Sequence, residues 1–306
     1  MGYNCVVCVK QVPDTKRITG EAMTEAGTVN RGALPAIFNP EDLNALELAL
    51  SIRDEHGGSV TVVTMGPPAA AEILREALYR GADRVVLITD RRAAASDTLA
   101  TSYILACAVK KLGGTGFQPV EQQAQAAQPG KAVPPDLVLC GRQAIDGDTA
   151  QVGPQLAEKL GFNLVTYVEE FMGLSDGRLR AKRNVGAGWE VVSCELPALL
   201  TVMETANTPR PPSMRCVMKY KKARCPAELG KEAPVQPLED KGLLIEQWSL
   251  DDFGADLSWC GLSGSPTKVH RIQSVVLTGS GYHEYEPTDD GAAQLISALI
   301  EDHTIG

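Results

Sequence analysis

Residues 136–160 read DLVLCGRQAIDGDTAQVGPQLAEKL. An apolar run, DLVLCG, enters a loop punctuated by glycine and aspartate, and an amphipathic helix follows. The loop and the helix start carry Gly141, Arg142, Gln143, Asp146, Gly147, Asp148, Thr149 and Gln151. That is much hydrogen-bonding capacity just beyond the end of a buried strand. In an open parallel sheet this is where ligands bind, because helix N-termini point there.

The same rhythm runs upstream. YNCVVCVKQV is a short run apolar on both faces, and NPEDLNALELALSIRDEHG follows it. There Asn39 is placed to cap a helix, Pro40 suits its first position, and Glu41 and Asp42 favour its positive end. SVTVVTMG, PAAAEILREALYRGA, RVVLITD and SDTLATSYILACAVKKLG continue the alternation. Four strand–helix repeats predict an α/β fold with a doubly wound parallel sheet. Residues 113–135, rich in Gly, Gln, Ala and Pro, read as an exposed insertion. From residue 165 to Val202, strands separated by SDG and a glycine-rich turn predict an antiparallel extension of the sheet. Residues 1–224 then form the α/β domain. Residues 225–306, rich in Pro, Gly and Asp, form a long C-terminal arm expected to pack on a partner subunit.

Composition narrows the function. The chain has 306 residues and a net charge of −9, a balance that argues against nucleic acid. No run approaches the roughly 18 apolar residues of a membrane span. The N-terminus shows no secretion signal, so the expected location is cytoplasmic. Most of the eight cysteines sit in apolar runs and read as core residues of a reducing compartment. Cys5 and Cys8 have a metal-like spacing, but on a strand they point to opposite faces. The four histidines are dispersed. Asp146 and Asp148 would repel a phosphate aimed at them. They fit better as caps, as ribose acceptors or as partners of Arg142, and less well as Mg²⁺ ligands. A P-loop, a G-x-G-x-x-G after the first strand and a G-x-S-x-G are all absent.

Four segments reach the ligand edge: the end of the first strand, residues 39–42, residues 64–68 and residues 141–153. Amides at the start of the last helix suit a phosphate, with Thr149 and Gln151 beside them. Val9 and Met65 suit a flat ring.

The motifs VVCVKQVPDT, NPEDLNALELAL, VTMGPP, ALYRGADR, the 136–160 stretch and LPALLTVMETANTPR together resemble the β subunit of electron transfer flavoproteins. The resemblance covers about residues 3–224, with an echo at GLSGSPTKV. It implies an adenine-nucleotide α-hydrolase-like fold and a heterodimer with an FAD-bearing α subunit. It also implies a β-subunit site that holds AMP, or in flavin-bifurcating members an FAD reduced by NADH. VPDT, DGDTAQVGPQ and GSPT resemble the bifurcating members, which favours FAD. Carried over by motif, the site would comprise Cys8, Val9, Lys10, Asn39, Pro40, Glu41, Asp42, Met65 and Gly66. It would continue through Gly141, Arg142, Gln143, Ala144, Ile145, Asp146, Gly147, Asp148, Thr149, Ala150, Gln151 and Val152. The resemblance further implies a loop that docks a dehydrogenase, here Met214 flanked by Lys219 and Lys222. No residue is required as a catalytic acid or base. A non-redox nucleotide sensor resembling universal stress proteins is the rival from another class.

Overall fold

The computed structural model describes residues 2–14, 35–113, 135–229, 234–267 and 283–301. From the N-terminus, β1 (Tyr3–Cys8) leads to a ribbon of β2 (Gln11–Pro13) and β3 (Ala36–Phe38). Then come α1 (Pro40–His56), β4 (Gly58–Met65), α2 (Ala71–Arg80), β5 (Arg84–Ile88), α3 (Thr98–Leu112), β6 (Leu137–Gly141) and α4 (Val152–Leu160). The chain continues through β7 (Asn163–Ser175), β8 (Arg178–Asn184), β9 (Trp189–Glu195) and β10 (Ala198–Val202). It closes with α5 (Met214–Tyr220), α6 (Gln236–Glu239), β11 (Glu246–Trp248) and α7 (Asp289–Glu301).

One nine-stranded sheet has the order β11-β5-β4-β1-β6-β10-β7-β8-β9. Its centre is parallel and buried on both faces, as the unbroken apolar runs demand. Helices α1 and α2 cover one face and α3 and α4 the other, which makes the sheet doubly wound. Cys5 belongs to the first layer and Cys8 to the second, so the pair is split by the strand. The chain winds from β1 through β4 to β5, then returns to place β6 on the other side of β1. The two directions diverge between β1 and β6.

Two sequence expectations need correction. β10 is not part of an antiparallel extension: it lies parallel between β6 and β7. All five of its residues are buried, which only an internal strand allows. The antiparallel part is confined to β7–β8–β9, joined first by a tight turn in which Asp176 and Gly177 take left-handed φ values of 52° and 70°. Nor does packing end at Cys225. β11 adds to β5 as a parallel edge strand, and Ile245, Trp248, Leu250 and Cys260 are buried in this chain's own core. The insertion lies outside the described residues except for Gly113 and Pro135. Among the described residues, no helix is long and apolar enough to cross a membrane.

Candidate functional site

A crevice of about 980 Å³ opens beyond the carboxyl ends of β5, β4, β1 and β6. One wall is Cys8–Lys10 and Met65–Pro68. A second is the 141–153 loop, and a third is the turn after β5 with the start of α3.

The NPED segment holds the second wall from behind. Asp42, in the first turn of α1, spans the divergence of the sheet. Its Oδ1 accepts from the Gly141 amide (2.8 Å), and its Oδ2 from the Lys10 amide (2.8 Å). Glu41 Oε2 accepts from the Gln143 amide (2.9 Å), and Glu41 Oε1 pairs with Arg142 Nη2 (3.0 Å). Asn39, fully buried, donates from Nδ2 to the Gln143 carbonyl (2.8 Å) and accepts from the Ile145 amide (3.1 Å). Asn39 therefore precedes α1 without capping it by its side chain; that side chain is committed to the loop. Gly141 is obligatory here, because a Cβ would stand 2.6 Å from Asp42 Oδ1 and 2.8 Å from the Glu41 carbonyl carbon.

Burial governs the titration of this cluster. It raises the Asp42 carboxyl to about 7 despite the two amide donors, and it raises Glu41 against the pull of Gln143 and Arg142. It also pushes the Cys8 thiol up to about 12, with Asp42 adding to the shift, and the Cys140 thiol well above its ordinary value. Both thiols stay protonated at neutral pH, which suits packing rather than metal ligation or nucleophilic attack.

The loop beyond is polar and strained. Lys10 Nζ reaches Asp146 (2.7 Å), and Gln143 Nε2 reaches Asp148 (2.9 Å). The pairing of Asp146 with Arg142 allowed by the sequence is not made; Arg142 takes Glu41 instead. Asp148 and Ala150 adopt left-handed φ of 47° and 52°, and Ala95 across the crevice has 59°. Among the described residues these are three of five such non-glycine positions, so strained backbone gathers at the crevice. α4 begins at Val152 with no side-chain cap. The amides of Val152 and Gly153 therefore open the helix without an intrahelical acceptor, and Pro154 has no N–H to offer. Gly153 lets this end sit on the sheet: a Cβ would lie 2.6 Å from Thr201 Cγ2.

The structure brings most of the expected residues to the crevice wall, but Asn39, Pro40, Glu41 and Ile145 do not line it. Met214, Lys219 and Lys222 lie away from it, on and beside α5. The third wall escaped the sequence reading. Residues 89–98 apart from Arg92, with Thr101, Leu105 and Thr267, line it. Asp97 caps α3 through the Ala100 amide (2.9 Å) and takes the Thr267 amide (3.0 Å) and hydroxyl (2.7 Å). Thr98 Oγ1 donates to Gln151 Oε1 (2.9 Å), joining the third wall to the second. The available signal was the third strand itself: RVVLITD ends at the same sheet edge as the other three, so the turn after it belongs there too.

A family model described as the electron transfer flavoprotein domain matches residues 26–236. The chain is 39% identical over 302 residues to the electron transfer flavoprotein subunit beta of Clostridium acetobutylicum, covering 99% of this chain and 100% of that one. It is 41% identical to the caffeyl-CoA reductase-Etf complex subunit CarD of Acetobacterium woodii, covering 98% and 99%. It is 42% identical to the protein FixA of Azorhizobium caulinodans, covering 87% and 83%. With its doubly wound sheet and its crevice at the point of divergence, the chain belongs to the electron transfer flavoprotein family, as a β subunit.

Proposed function

We propose that the crevice holds FAD and that this β subunit receives electrons from NADH or a partner dehydrogenase and delivers them to an FAD of the α subunit. The observation that carries this reading is the size of the crevice. About 980 Å³ stands at the top of the usual range of roughly 300–1,000 Å³ for small-molecule sites, which suits a dinucleotide better than AMP. The chemistry of the walls fits. The amides of Val152 and Gly153 face an anion at a helix start. Arg142 lines the crevice, and its buried Nε–H has no acceptor among the described residues. Met65, Val9 and Pro67 offer apolar surface for a flat ring. When bound, FAD supplies the redox chemistry; the chain binds it, orients it and excludes water.

The same reading extends to flavin-based bifurcation, with two flavins per heterodimer. The name of CarD ties that relative to a reductase complex, which supports a dehydrogenase partner here. Met214 and Met218, 74% and 59% exposed and one helical turn apart on α5, form the docking face, with Lys219 and Lys222 beside it. α7 exposes Leu295, Ile296 and Ile300, and we assign that face to the α subunit.

Cofactor analysis of the purified heterodimer tests the reading. Two FAD per pair are expected; one FAD and one AMP would overturn it. Titration with NADH should bleach the flavin absorbance, and an unchanged spectrum would remove direct reduction by NADH.

A further inference from the structure

The crevice has an unfavourable charge balance for a nucleotide. Its lining carries five carboxylates, Asp42, Asp90, Asp97, Asp146 and Asp148, against three cations, Lys10, Arg91 and Arg142. A phosphate group adds further negative charge to this space. The carboxylates are all engaged: Asp90 by Arg92 (2.6 Å), Asp97 by the Ala100 and Thr267 donors, and the other three as described above. Two of the cations are engaged as well, Lys10 with Asp146 and Arg142 with Glu41. The N-terminus of α3 is already neutralised by Asp97.

Arg91 is the exception. It is exposed on the third wall, and among the described residues its side chain has neither an ion-pair nor a hydrogen-bond partner. Its backbone is nonetheless fixed. Asp90 accepts from the Arg92 amide (2.9 Å) at the head of the one-turn segment 91–93. Arg92 forks onto Asp90 and Asp251, the latter at 2.7 Å. Gly261 packs against the Arg92 carbonyl so tightly that a Cβ would stand 2.1 Å from its oxygen. The turn is held from three sides and presents one uncommitted guanidinium to the crevice.

We infer that Arg91 is the countercharge for the phosphate groups of an adenine nucleotide in the crevice, and so separates phosphorylated nucleotides from the bare nucleoside. The inference rests on the crevice being the nucleotide site. A guanidinium suits this role because its planar donors match phosphate oxygens. Nothing about the motif spacing marks Arg91, and the neighbouring Arg92 is fully occupied in structure.

Equilibrium binding of ADP and of adenosine to the full chain freed of nucleotide tests it. Arg91→Ala should weaken ADP about tenfold, leave adenosine unchanged and flatten the salt dependence of ADP binding. Arg91→Lys should recover part of the loss. Unchanged ADP affinity in Arg91→Ala would overturn the inference, and so would an equal loss for adenosine, which would mean a general disturbance of the crevice. A wild-type chain that binds neither ligand would overturn the reading of the crevice itself, and this inference with it.

Discussion

Asp42 does with one side chain what the fold requires at its point of divergence: it gives one oxygen to Lys10, just past the end of β1, and the other to Gly141 at the end of β6. An asparagine there can accept only one of the two amides and turns its NH₂ towards the other. Leaving a buried amide without an acceptor costs about 1–3 kcal/mol. The titration adds a pH signature. Burial raises the folded carboxyl from 3.8 to about 7, so the folded chain holds this proton more tightly than the unfolded one. The group's contribution is therefore present below about pH 4 and is lost as pH rises through about 7. Asp42→Asn should lower stability, and the gap from wild type should narrow between pH 5 and pH 8 in urea titrations. A gap that widens over that range would refute the assignment. The sequence reading placed Asn39, Glu41 and Asp42 at the correct end of the sheet, yet gave them to the ligand. In the folded chain all three side chains bond residues 141–145, about a hundred positions downstream, while Asp42 also takes the Lys10 amide and lines the crevice; no local pattern announces which of two facing loops a buried polar side chain will serve.

The elements legible in advance were those with a strong periodic signature. β1, β4, β5 and β6 are apolar on both faces, and α1 to α4 follow each of them with proper spacing. β10 was legible as a strand but not in its place, because order within a sheet is a long-range property. β11 was not legible at all: Glu246, Gln247 and Trp248 form too short a run to signal anything. Tertiary packing makes it a strand. Trp248 is buried against the α3 layer, its Nε1 donates to Glu246 Oε1 (2.9 Å), and Lys111 Nζ lies 4.2 Å from its ring centre. Glu246 in turn pairs with Arg84 at the start of β5. Trp248→Ala should cost about 3–5 kcal/mol in equilibrium unfolding of the isolated chain. A loss below about 1 kcal/mol would show that this edge strand is an ornament of the fold.

At the scale of the molecule, the compact unit extends to Thr267, which is tied to Asp97 at the head of α3. α7 stands apart energetically: of its thirteen residues, only Gly291 is buried. The double variant Leu295→Gln, Ile300→Gln should unfold within about 0.5 kcal/mol of the wild type, since both side chains are exposed. It should also bind the α subunit more weakly in a pull-down titration. Unimpaired association would move the α7 face to another role. The division of labour between strands and turns has a last implication. The strands of the parallel centre are apolar through their buried length except at Thr64 and Thr201, and apart from Asp42 in the first turn of α1 every charged group that lines the crevice comes from a connection. Natural variation can therefore rewrite the cargo preference of this scaffold by editing short surface segments, while the buried core of the sheet goes untouched. The clamp in the first turn of α1 sets the limit on that freedom, because it holds whichever loop occupies residues 141–145.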